Sequence, residues 1–148
     1  MNVARETIYA ALFGLLSGVP GFNKTGRRLL HWSEVAHADQ PALFLVQSNQ
    51  APQQAGRGLP PKWLLRAELF VYVNVGEDPN AIPAQQLNTL VDAIDVALKP
   101  AAGSDLVNNV QTLGGLVSHC WIDGEVEVFD GALGPQAVAI IPIAILVP

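Results

Sequence analysis

The chain has 148 residues, of which 50% are hydrophobic and only 14% charged, with a net charge of −5. That is one ordinary domain, and its charged share falls well below the roughly 25% of typical soluble domains, so part of its surface is expected to be covered by a partner. Eight Lys and Arg, of which only Arg27 and Arg28 are adjacent, argue against a nucleic-acid grip, and the lone Cys120 excludes an internal disulfide.

Residues 3–17 predict a helix, with Ile8, Leu12, Leu15 and Leu16 at helical spacing and Gly18 and Pro20 as its stop. The apolar stretch from Ile8 to Leu16 follows Arg5 and Glu6 and is too short to span a bilayer, so neither a signal peptide nor a membrane span is expected. Residues 19–40 look irregular; they carry Phe22, Arg27, Arg28, Leu29, Leu30 and Trp32.

Ala42 to Gln47 is a short apolar run that predicts a buried strand. Residues 49–62, rich in Pro, Gly and Gln and without periodicity, predict a long loop. Trp63 to Val75 alternates strictly: Leu65, Ala67, Leu69, Val71 and Val73 fall on one face and Leu64, Arg66, Glu68, Phe70 and Tyr72 on the other. A strand this long is expected to form, with 42–48, a hairpin that reaches past the domain body.

A turn over 76–82 leads into a helix from Pro83 to Leu98, with Leu87, Leu90, Val91, Ile94 and Leu98 as its apolar face. Residues 101–111 are small and polar. Leu116–Ile122 and Glu125–Phe129 flank Asp123-Gly124, which predicts a two-residue hairpin. Gly131 and Gly134-Pro135 make a further turn, and the strand from Ala137 to Val147 is apolar on both faces, as suits a central strand, although Pro142 demands an edge or bulge. The chain as a whole predicts one α+β domain over 1–148: one mostly antiparallel sheet with two helices packed on one face and a long β-hairpin arm.

No constellation carries chemistry. His119 and Cys120 are strand neighbours that point to opposite faces, so they do not share a metal, and His31 and His37 read as surface or packing residues. Cys120 lacks the basic setting a nucleophile needs. Glu125 and Glu127 share a strand face, which exposed strands do routinely. Gly114-Gly115 lacks the Lys-Ser/Thr of a phosphate loop. No enzyme activity, metal or cofactor is expected. The residues that stand out are those suited to an interface: Trp32, Trp63, Arg27, Arg28, and the loop residues Arg57 and Lys62.

The order of these segments resembles the tail terminator family, the minor tail protein U-like subunits of long-tailed phages. The resemblance runs through Arg5-Glu6-Thr7-Ile8, Trp32-Ser33-Glu34-Val35, Asp39-Gln40-Pro41-Ala42-Leu43, the strand after Trp63, Asp92-Ala93-Ile94, Gln111-Thr112-Leu113-Gly114-Gly115, Trp121-Ile122-Asp123-Gly124-Glu125 and Ile141-Pro142-Ile143. It implies a virion protein, made in the host cytoplasm, that forms a homo-hexameric ring on the last ring of the tail tube. Such a ring stops tube elongation and offers a docking surface to the head-completion or neck connector protein. DNA passes through its lumen without specific binding, and no membrane is involved. Six copies at −5 would place roughly −30 around that conduit. Three alternatives stand beside it: another head–tail connector ring subunit, such as a head–tail joining or tail-completion protein; a small-molecule-binding α+β domain or an enzyme of that shape; and a toxin-like or regulatory adaptor.

Overall fold

A computed structural model describes residues 3–54, 56–100, 103–131 and 134–148. Ala55 of the expected loop, Ala101 and Ala102 of the expected polar stretch, and the two N-terminal residues of the 1–148 domain lie outside the described residues. The elements in chain order are α1 (Arg5–Ser17), β1 (Lys24–Gly26), two single 3-10 turns at Trp32–Glu34 and His37–Asp39, β2 (Ala42–Gln53), β3 (Lys62–Asn74), α2 (Pro83–Ala97), α3 (Gly103–Asn108), β4 (His119–Ile122), β5 (Glu127–Phe129) and β6 (Gln136–Val147). The fold is α+β. The strands form one sheet in the order β1-β2-β3-β6-β4, with β5 also on β6; every pairing is antiparallel except β1 with β2.

The core lies between this sheet and its helices. The alternation of β3 places Leu65, Ala67, Leu69, Val71 and Val73 on one face, all fully buried. Ala137, Ala139, Ile141, Ile143 and Ile145 of β6 sit beside them in register. Onto this face pack Ile8, Tyr9, Leu12 and Leu16 of α1 and Leu87, Leu90 and Ile94 of α2, so both helices cover the same side. Burying each large aliphatic side chain stabilises by roughly 1.5–3 kcal/mol. Tyr9 joins the α1 stripe although it is polar-tipped: its ring is buried and its hydroxyl donates to the Arg66 carbonyl at 2.9 Å. Leu15 is only partly buried.

Four boundaries differ from the sequence expectation. The first is β2, which runs on to Gln53 instead of ending near Gln47. A bulge at Ser48 and Asn49 absorbs one residue, after which Gln50 pairs with Leu65 and Gln53 with Lys62. Beyond Phe44 this strand has no outer neighbour, since β1 ends there. An edge strand tolerates polar side chains and Pro52, which is why 49–53 reads as loop. The connection is therefore 54–61. The long hairpin is present, but β3 is flanked by β6 from Trp63↔Val147 to Asn74↔Gln136, so what reaches past the sheet is its tip.

The second is the expected hairpin at Asp123-Gly124. Both β4 and β5 instead pair with β6, one after the other along the same edge. The cause is Pro142. Its carbonyl faces that edge and accepts from the Asp123 N–H at 3.0 Å, but it has no N–H to return. Residues 123–126 bulge around it, and Gly124, at φ +117°, turns the chain against the proline ring. The third and fourth are smaller: residues 24–26 add a parallel edge strand, and 103–108 form a short helix with no buried residue.

Candidate interaction surface

Neither α1 nor α2 packs on the opposite face of the sheet. The segment after β1 crosses one end of it, packing Leu30 and Val35 over Ala42, Phe44 and Tyr72, with the Tyr72 hydroxyl donating to the Leu30 carbonyl at 2.7 Å. Beneath that segment the amide of Gln40, the one buried polar side chain among the described residues, exchanges hydrogen bonds with that of Gln136 at 2.9 and 3.2 Å, and Gln136 also donates to the Val73 carbonyl.

Between this segment and β5 the sheet lies open. Phe70, Val138 and Ile140 floor a hollow of about 1010 Å³, walled by Leu29, Trp32 and Phe129. Trp32 is 42% exposed and Phe129 58% exposed, which is unusual for large apolar side chains so close together. Behind the Gly131, Gly134 and Pro135 wall lies a second cleft of about 760 Å³ bordered by Glu77, Asp78 and Asp130. Neither lining contains a Lys or Arg.

The residues expected at an interface fall in four places. Trp32 lines the hollow and lies against the His31 ring, centroids 4.9 Å apart with the planes tilted by 37°. Arg57 is exposed in the connection at the hairpin tip, and Lys62 is exposed at the strand pair that adjoins it. Arg27 is drawn into an ion pair with Glu6 of α1, whose carboxyl that guanidinium holds below its usual range, while the neighbouring Arg28 is exposed. Trp63 packs on the core beneath Arg5, with the guanidinium 4.6 Å from its ring centroid. The structure thus does not gather the six into one patch, and Arg27 and Trp63 have partners within the chain. Phe129, Phe70 and Ile140 belong to the hollow and were missed. Their signal was the doubly apolar pattern of β6, which expects cover on both faces.

Cys120 is buried among the core residues, and that burial pushes its thiol up to about 12, far from a nucleophile's range. His119 points to the other face, stacks on Trp121 at 4.9 Å and accepts from the Gln111 N–H at 3.0 Å. Among the described residues no three His, Cys, Asp or Glu come together as metal ligands, and no helix is long and apolar enough to cross a membrane. No protein-family model matches the chain, and no curated protein is significantly similar to it.

Proposed function

We propose that the chain is a structural ring subunit of a tailed-phage virion, a tail terminator that caps the tail tube, stops its elongation and docks the neck or head-completion connector, with DNA passing through a homo-hexameric lumen. The observation that carries the reading is the apolar outward face of β6. Its outward residues Val138, Ile140, Pro142 and Leu146 are as apolar as the inward set, yet they are only partly buried, Ala144 alone on that face being fully covered. A strand apolar on both faces belongs in the middle of a packed structure, and here a second subunit is the missing layer. The resemblance in segment order to tail terminators supplies the kind of assembly, and the acidic balance of −5 suits a conduit along which DNA slides without adhering.

Adding the purified chain to polymerising tail tubes of its phage tests the reading. Tubes should stop at a defined end bearing a sixfold ring by electron microscopy. Tubes of unchanged length distribution with bare ends would sink it. Rings located between head and neck instead would assign the chain to another connector ring of the same region.

The hollow also favours a second reading, a small-molecule-binding domain, because its volume matches such sites at about 300–1,000 Å³. Its polar groups do not converge on a ligand, however: Asn74 and Gln136 hydrogen-bond each other at 3.2 Å. Saturable binding of a small apolar ligand by the isolated chain, with no effect on tubes, would favour this second reading.

A further inference from the structure

The hairpin tip and the hollow are complementary, and they lie at opposite ends of the same sheet. The tip carries Leu59, 55% exposed, between Arg57 and Lys62, and residues 51–62 hold no acidic side chain. The tip is braced: the Leu59 N–H donates to the Gly56 carbonyl at 3.2 Å, and the Gln54 amide donates to the carbonyls of Gly56 and Leu59 at 3.2 and 3.3 Å. Neither Arg57 nor Lys62 has an ion-pair partner among the described residues. At the far end the apolar hollow adjoins the cleft of Glu77, Asp78 and Asp130. An exposed leucine flanked by two cations lies at one end of the sheet; an apolar hollow, with three carboxylates in the cleft next to it, lies toward the other.

The tip does not reach its own hollow. Lys62 and Phe70 are eight residues apart on β3, about 26 Å at ~3.3 Å per residue. β3 is paired on both sides over that length, so it does not fold back. Contact between the two features joins different copies, head to tail.

We infer that the hairpin tip of one copy docks into the hollow of the next, with Leu59 against Phe70 and Phe129 and with Arg57 and Lys62 toward Glu77, Asp78 and Asp130. The inference rests on the reading of the chain as a ring subunit and specifies the contact that builds the ring. It is heterologous, so it closes into a ring where the rotation per copy allows. At −5 each, copies repel in most orientations, and the one that apposes these two ends is selected. Salt weakens it by screening.

Two charge-reversed variants of the full chain test it by sedimentation velocity at high concentration, with electron microscopy of the product. One carries Arg57→Glu and Lys62→Glu, the other Glu77→Lys and Asp78→Lys; all four positions are exposed, and circular dichroism checks the fold. Wild type is expected to form rings. Each variant alone should associate at least tenfold more weakly, because its two ends then carry the same sign. The equimolar mixture should recover rings by alternation, which mere damage to either variant cannot produce. Oxidation of mixed Leu59→Cys and Phe129→Cys chains should give a disulfide-linked pair. Wild-type rings that are indifferent to both reversals would overturn the docking and leave the ring reading standing. The same holds if Phe129→Asp alone blocks rings, since another segment or ligand then fills the hollow. A wild-type chain that stays monomeric throughout and leaves tube ends bare would overturn both.

Discussion

The guanidinium of Arg5 lies 4.6 Å from the centroid of the Trp63 ring, and its Nε donates to Gln50 Oε1 at 2.6 Å. One residue in the first turn of α1 therefore grips both limbs of the hairpin close to its connecting end, Gln50 on β2 and Trp63 on β3. The same Gln50 amide reaches the Tyr9 hydroxyl at 3.4 Å, one turn further along the helix. This clamp fixes the direction in which the tip leaves the domain. A cation over a partly exposed aromatic such as Trp63 contributes about 0.5–1 kcal/mol. Arg5→Ala should therefore lower stability by about 1–2 kcal/mol once the hydrogen bond is counted. Urea unfolding of Arg5→Ala, Trp63→Leu and the double variant should show a coupling of about 0.5–1 kcal/mol; strictly additive effects would mean that the two residues do not interact in solution.

Much of the fold was legible because its signals are local. The alternation from Leu64 to Val73, the apolar stripe from Leu87 to Leu98 and the Gly18 stop each act within a few residues. What was not legible depends on neighbours across the sheet. Residues 49–53 look like loop until Leu65 to Lys62 pair with them, and Asp123-Gly124 looks like a hairpin until Pro142 sits opposite. The hollow was half legible. Trp32 stood out by size, whereas Phe70, Ile140 and Phe129 look like ordinary strand residues until the topology leaves their face bare. The intrachain partners of Arg27 and Trp63 were not legible for a matching reason: Glu6 and Arg5 are distant from them in sequence.

Alkaline stability should report on Cys120. Burial raises its thiol from the ordinary 9.0 to about 12. The unfolded chain then loses its proton first, so stability is intact below pH 9 and falls as pH rises from about 9 toward 12. The full loss is on the order of 4 kcal/mol, at about 1.36 kcal/mol per unit. Tyr9 and Tyr72, both raised above their ordinary 10.0 by desolvation, add to the decline only above pH 10. Cys120→Ala should flatten the decline between pH 9 and 10 in chemical denaturation. An unchanged slope there would mean the thiol is not buried in solution.

Leu12 and Gln40 test the two faces of the sheet separately. Leu12 is fully buried under α1, and Leu12→Ala should cost about 2–5 kcal/mol through the cavity it leaves. Gln40→Ala removes partners from the Gln136 amide and should cost about 1–3 kcal/mol. The two sites share no contact, so the double variant should be additive within about 0.5 kcal/mol. Additivity that fails by more than 1 kcal/mol would show that the faces are coupled through the strands between them.

Gly131 offers the most discriminating substitution. It sits where the chain leaves β5 for β6, in the wall shared by the hollow and the acidic cleft, at φ +70°. A Cβ there would collide with the Gln136 carbonyl, which is backbone and does not swing aside. Two penalties are thus possible, the left-handed conformation and the collision, and they differ in how they depend on the new side chain. Asn adopts the left-handed region more readily than Ala, so a purely conformational penalty would make Gly131→Asn clearly milder than Gly131→Ala. The collision falls on Cβ, which both share. The geometry therefore predicts that both variants lose about 1–3 kcal/mol and that Asn gives no relief. Thermal and urea unfolding of the pair measures this. A well-tolerated Asn variant would show that the Gln136 carbonyl moves away, and that the wall between hollow and cleft is softer than the packing around it suggests.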